Sequence, residues 1–147
     1  VTGGNIVGTL LREDAPLAAL VAAASIKLGR LPDEAALPAL LVRVVSSVEQ
    51  QPLKRGGFVR TIDRVSVTVR ARDYREQVAV MKLVVSACAG KVGDLAGARR
   101  CSILTAGAGP DLNGPGNTFE RTQDFRVSHD ALQVSPKEND CVDCTED

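Results

Sequence analysis

The sequence predicts an α+β fold: a mostly antiparallel sheet built from two β-hairpins, with helices packed on one face. Three observations carry that expectation. The stretch Phe58–Arg72 alternates, with Val65, Val67, Val69 and Ala71 on one side and Arg64, Ser66, Thr68, Arg70 and Arg72 on the other. Such a period of two marks a strand with one dry and one wet face. It runs directly into Asp73-Tyr-Arg-Glu76, the spacing of an N-cap and capping box, here with Asp in place of Ser or Thr. Turn-rich stretches, Gln50–Gly57 and Gly107–Asn117, each separate two strand-like segments.

Taken in order, Val1–Gly4 is expected to fray. Asn5–Arg12 carries Ile6, Val7, Leu10 and Leu11 at helical spacing. Asp14-Ala-Pro16 reads as an N-cap with Pro in the first turn, opening a second short helical stretch over Leu17–Ala24. Ser25–Arg30 reads as a short strand closed by Gly29 and Pro32, and Leu31–Pro38 as a linker with two prolines. Ala39–Glu49 is a second strand, with Val42, Val44, Ser46 and Val48 on one face. The loop after it exceeds the two to five residues usual for hairpins, so it is expected to project.

In the helix after Asp73, the expected buried stripe is Val78, Met81, Val85 and Cys88, with Gly90 as the stop. Lys91–Arg100 is expected as a loop, Cys101–Ala106 as a strand, and 107–117 as a flexible loop rich in Gly and Pro. Thr118–Ser128 is the last strand. The domain expected is 1–129, followed by an acidic tail, 130–147, expected to be disordered.

At 147 residues the chain suits one domain. Its 44 % hydrophobic and 24 % charged content are those of a globular protein. Only Phe58, Tyr74, Phe119 and Phe125 are aromatic, so stacking on nucleic-acid bases has little to work with. Net charge is zero but unevenly spread. Residues 54–75 hold seven basic residues against Asp63 and Asp73, and residues 137–147 hold one Lys against five acidic residues. A basic hairpin and an acidic tail are suited to meet within one chain, between copies, or with outside partners. The longest apolar run, Ala15–Ile26, is too short to span a bilayer and lacks the basic flank of a signal peptide, so no membrane or secretory role is expected.

No catalytic constellation is visible. Cys141-Val-Asp-Cys144 has half a zinc motif, but the only histidine is His129 and Cys88 and Cys101 sit in core-like positions. There is no nucleophile elbow beside His129, which reads as an ordinary surface residue. The glycine-rich loop lacks the Gly-Lys-Ser/Thr ending of a phosphate loop. No catalytic residue, metal site or cofactor is therefore expected, and the chain is not expected to be an enzyme. Strand edges and adaptable loops point to protein–protein assembly.

Leu31-Pro-Asp-Glu-Ala-Ala-Leu-Pro-Ala-Leu-Leu-Val42, Gln51-Pro-Leu-Lys-Arg55 and Thr61–Glu76, followed by a Gly-Pro loop and Gln123-Asp-Phe-Arg-Val127, occur in the order found in a known family. Over residues 5–129 the chain resembles the tail completion, or tail terminator, proteins of long-tailed bacteriophages and gene-transfer agents. The resemblance implies a structural virion protein, a homo-oligomer forming a hexameric ring. Such a ring caps the tail tube, ends its elongation and joins it to the head-side connector. Its implied partners are the tail tube protein and the head–tail connector protein, with DNA passing through the lumen without specific binding. Its implied place is the tail neck of the virion, and the host cytoplasm during assembly.

The family brings no active site. The expected ring contacts are Arg43, Arg64, Arg70 and Arg72 on wet strand positions, Lys54 and Arg55 in the first loop, and Pro110 and Asp111 in the second. A head–tail connector or minor tail protein of the same neck region is the neighbouring alternative. A nucleic-acid-binding module using the basic hairpin, or an enzyme using the cysteines, are the alternatives of a different class.

Overall fold

A computed structural model describes residues 2–54 and 56–132. The fold is mixed α+β, with three α-helices and seven strands in one sheet among these residues. Helix α1 (Gly3–Glu13) and the single turn α2 (Ala15–Ala18) precede β1 (Ile26–Leu28). Next come β2 (Ala39–Gln50), β3 (Phe58–Ala71), α3 (Tyr74–Cys88), β4 (Val92–Leu95), β5 (Ala98–Ala108), β6 (Leu112–Gly114) and β7 (Thr118–Leu132). Strand order is β1-β2-β3-β7-β5-β4, with β6 paired to β7. Every pairing is antiparallel except β1 with β2.

The strand-to-helix unit forms as its residues dictate. Asp73 accepts from the Glu76 backbone N–H at 2.8 Å, while the Glu76 carboxylate reaches back to the N–H of Arg72 at 3.0 Å, one residue before the cap. The apolar stripe of α3 is turned by about one residue from the expected one. Gln77, Val80, Met81, Val84, Ala87 and Cys88 are buried, and Val78 and Val85 are only half-buried. Asp14 caps α2 by accepting from the Leu17 N–H at 3.2 Å, with Pro16 in its first turn. That helix ends at Ala18, short of the expected Ala24.

Other expectations need correction. Gly3 and Gly4 do not fray; both are buried in the first turn of α1. Residues 91–100 are not simply a loop, because β4 and β5 pair there across a turn in which Ala96 and Gly97 both have positive φ, as that hairpin turn requires. The 107–117 stretch contains β6, and β7 continues four residues beyond Ser128 to Leu132. That end of β7 takes in the first residues of the expected 130–147 tail; the remainder lies outside the described residues, as does Val1.

One core gathers Ile6, Val7 and Leu11 of α1, Val80, Val84 and Cys88 of α3, and the inward residues of the sheet, among them Val65, Val67, Phe125 and Val127. At its edge lies a polar knot. Asp63 of β3 shares strand parity with Val65 and Val67, so it points to the dry side and is only 3 % exposed. Its carboxylate accepts from the backbone N–H of Gly3 at 2.7 Å, from the Ser47 hydroxyl at 2.5 Å, and meets His129 Nε2 at 3.2 Å. The Gly3 N–H is one of the donors a helix start leaves without an internal partner, and a negative group there complements the helix dipole. A Cβ on Gly3 would stand 2.8 Å from Asp63 Cβ, so only glycine lets the backbone approach. His129 is therefore not a surface residue: it is 1 % exposed.

Ser47 reaches Asp63 because β2 contains a bulge. The register runs Val44↔Val65 and then Ser46↔Arg64, leaving Val45 as an extra residue. The expected alternation Val42, Val44, Ser46, Val48 is therefore broken: Ser46 and Val48 pass to the other face and Ser47 turns toward Asp63. Replacing Asp63 by Ala strands a backbone N–H, a hydroxyl and an imidazole; denaturant unfolding should show a loss of about 3 kcal/mol or more. Gly3→Ala should cost about 1–3 kcal/mol in the same assay, since the added methyl overpacks against Asp63.

Candidate assembly surface

Past Val42, β2 leaves the core. Every residue from Arg43 to Gln50 is exposed, although all of them lie in a strand. β1 covers the outer edge of β2 only opposite Leu40, Leu41 and Val42, so beyond this point, among the described residues, β2 pairs on one side alone, with β3. Val44, Val45 and Val48 are exposed along this arm, Leu53 stands fully free at its tip, and Phe58 is exposed at the start of β3. Valines favour the extended backbone but gain nothing from water. A long apolar strand with an unpaired edge is a liability in a monomer and a template for pairing in an assembly. On the opposite side of the sheet, β5 beyond Ile103 also pairs on one side only, with β7, among the described residues.

The expected contact residues fall into three groups. Arg43 and Lys54 are exposed on the arm, and Pro110 and Asp111 are exposed beside β6. Arg55 lies outside the described residues. Arg64 and Arg72 are partly exposed but already engaged, Arg64 with Asp124 at 2.7 Å and Arg72 with Glu76 at 3.3 Å. Asp111 stands 3.8 Å from Arg121. Arg70 corrects its expected wet position. It is 7 % exposed, donates to the Pro32 carbonyl at 3.0 Å and lies 3.7 Å from Glu120, because the 29–38 connection covers that end of the sheet.

Missed by sequence reading were Asp63 and His129, which become legible only by strand parity: Thr61 and Asp63 share the phase of Val65, and His129 that of Phe125 and Val127. A small cleft lined by Thr2, Ser47, Asp63 and His129 lies beside them. Among the described residues no group of three or more His, Cys, Asp or Glu is placed to hold a metal ion, and no helix is long and apolar enough to cross a membrane. Cys88 and Cys101 are both buried and free. Burial, with a smaller push from Asp14, raises the Cys88 thiol to about 12, and burial also raises Cys101. Cys141 and Cys144 lie outside the described residues.

The family model described as "Tail completion protein gp17" matches residues 7–130, from within the first helix to two residues short of the end of the last strand. The chain belongs to the tail completion protein family. It is thus a structural component of phage-type tails. One solved chain, from a structure of the virion of a native gene transfer agent particle, has the same fold. It superposes with a TM-score of 0.64 over 88 % of this chain and 95 % of that one, at 18 % identity. No curated protein matches. The family match contains the exposed arm and, of the knot, Ser47, Asp63 and His129 but not Gly3, while residues 131–147 lie beyond it.

This geometry separates surface from scaffold in this tail completion protein. Arg43→Glu should change unfolding free energy by less than about 0.5 kcal/mol, whereas Arg70→Glu, which sets a buried carboxylate against Glu120, should cost about 3 kcal/mol or more. For Cys88 the folded thiol titrates far above its ordinary value near 9, so its contribution to stability is complete below pH 9 and is lost as pH rises toward about 12. A thiol-specific reagent at pH 8 should leave Cys88 unmodified in the native protein and modify it on unfolding.

Proposed function

We propose that this protein forms a closed homo-oligomeric ring, a hexamer, that caps the completed tail tube, stops addition of tube subunits and presents a surface to the head-side connector. The observation that carries the reading is the β2 arm: a strand exposed over eight residues, apolar at Val44, Val45 and Val48, with one edge unpaired among the described residues. A second edge, on β5 beyond Ile103 at the far side of the same sheet, is also unpaired among the described residues and makes the two borders different from each other. A head-to-tail contact between unlike surfaces generates a ring when its rotation closes.

On this reading the protein acts by shape and makes or breaks no bonds. Its partners are copies of itself, the tail tube protein and the connector protein. DNA crosses the opening without specific binding, and the ring is assembled in the host cytoplasm and retained at the neck of the virion. Arg43, Lys54 and Arg55 on the arm, and Pro110 and Asp111 beside β6, are the proposed contacts between copies or stacked rings. Arg64 and Arg72 have side-chain partners of their own and contribute at their exposed margins.

Electron microscopy of the purified protein, alone and with tube subunits, tests this directly. Six-fold rings are the expected image, and tube length should stop increasing when the protein is added. Val45→Asp combined with Val48→Asp should keep the fold, since both side chains are exposed, yet abolish rings. A native mass that stays monomeric beside tube and connector proteins would overturn the reading.

A further inference from the structure

The face of the sheet opposite Val65 and Phe125 holds a groove of about 170 Å³ lined by Ser46, Val48, Ile62, Arg64, Ala106 and Arg126. Arg64 and Arg126 are direct cross-strand partners in the β3–β7 register. Like charges in that relation repel, so the pair calls for anions nearby. Arg64 has one: its guanidinium holds Asp124 at 2.7 Å and also donates to the Ala106 carbonyl at 3.1 Å. Arg126 is exposed and, among the described residues, has no carboxylate within ion-pair distance. Leu104, its partner on β5, is 58 % exposed beside it, and Val48 is exposed at the other side of the groove. The surface is thus an unneutralised cation flanked by apolar side chains.

We infer that this groove is the docking site of the chain's own acidic segment, residues 133–147, bound in cis. Residues 1–132 carry 17 basic and 13 acidic side chains, while 133–147 carry one and five. The neutrality of the whole chain therefore divides at the point where β7 ends. Reach is ample. Arg126 lies six residues back along β7 from Leu132, about 20 Å at ~3.3 Å per residue. A 15-residue segment extends to about 50 Å.

The chemistry matches in kind. Asp140 and Asp143 offer carboxylates to Arg126, with the apolar Val142 between them for Val48 and Leu104. A tether this short holds the acidic residues at a millimolar effective concentration, enough for a contact that would be weak between separate molecules. Duplex DNA is the poorer occupant. Its phosphates recur every ~1.7 Å along the axis, and Asp124 stands within the patch.

The test uses the full chain with Cys141→Ser, which leaves Cys144 without a neighbouring thiol in the segment, and Leu104→Cys in the groove. Under mild oxidation at high dilution, an intramolecular disulfide between the introduced thiol and Cys144 is expected, located by peptide mapping. Its yield should fall severalfold in 1 M salt, where screening acts within ~3 Å, and likewise with Arg126→Glu. The exposed Val92→Cys on β4 serves as the control for random encounter. Yield no higher than that control, indifference to salt and to Arg126→Glu, or crosslinks formed mainly between molecules would each overturn the proposal. So would a result in which Arg126→Glu weakens binding of a DNA duplex while the crosslink stays at the control level.

Discussion

The fold depends on one buried carboxylate. Asp63 accepts from the first turn of α1, from Ser47 on β2 and meets His129 on β7, drawing together segments far apart in sequence. Hydrophobic burial would hold the helices near the sheet in many orientations, because it has no direction. A buried carboxylate with three partners has one arrangement that leaves none of them stranded, so it fixes where α1 sits and how β2 and β7 align. The glycine at position 3 belongs to the same constraint, since the helix start must touch the strand for the bond to form.

The exposed arm follows from what the core leaves out. The buried residues of β2 run only to Val42, and the strand then continues as an arm supported through β3 rather than by burial. Stiffness comes from the ladder and the Ser47–Asp63 bond, so the arm can present valines and an open edge without collapsing on its own domain. Placement in the tail completion family gives these features a setting: tail proteins work by contact with many neighbours, and a subunit in such an assembly can keep edges that a solitary protein would cover.

Much of this was legible in the residues. The alternation through Val65–Ala71, the Asp73–Glu76 cap and the Asp14–Pro16 start are local signals, and local physics decides them. What was not legible depended on distant pairing. The extra residue at Val45 leaves no mark in a valine-rich run, because both phases of the alternation look apolar there. Arg70 has the parity of a wet residue, and only the 29–38 connection lying over it makes it dry. Gln77 occupies the centre of the buried face of α3, where an apolar stripe would not place it; its side chain reaches Asp111 at 3.5 Å. His129 looked isolated because its partner is 66 positions away.

The bulge at Val45 also limits how relatives of this chain can vary. If the ladder ran on without the bulge, with Val45 opposite Arg64, the faces of everything distal to it would exchange, taking Ser47 away from Asp63 and carrying Ser46 and Val48 to the inner side. Length changes nearer the tip carry no such penalty, since the residues there answer only to β3 and solvent. The protruding end can therefore lengthen or shorten without disturbing the core, while the position of the kink is held fixed by chemistry at its base.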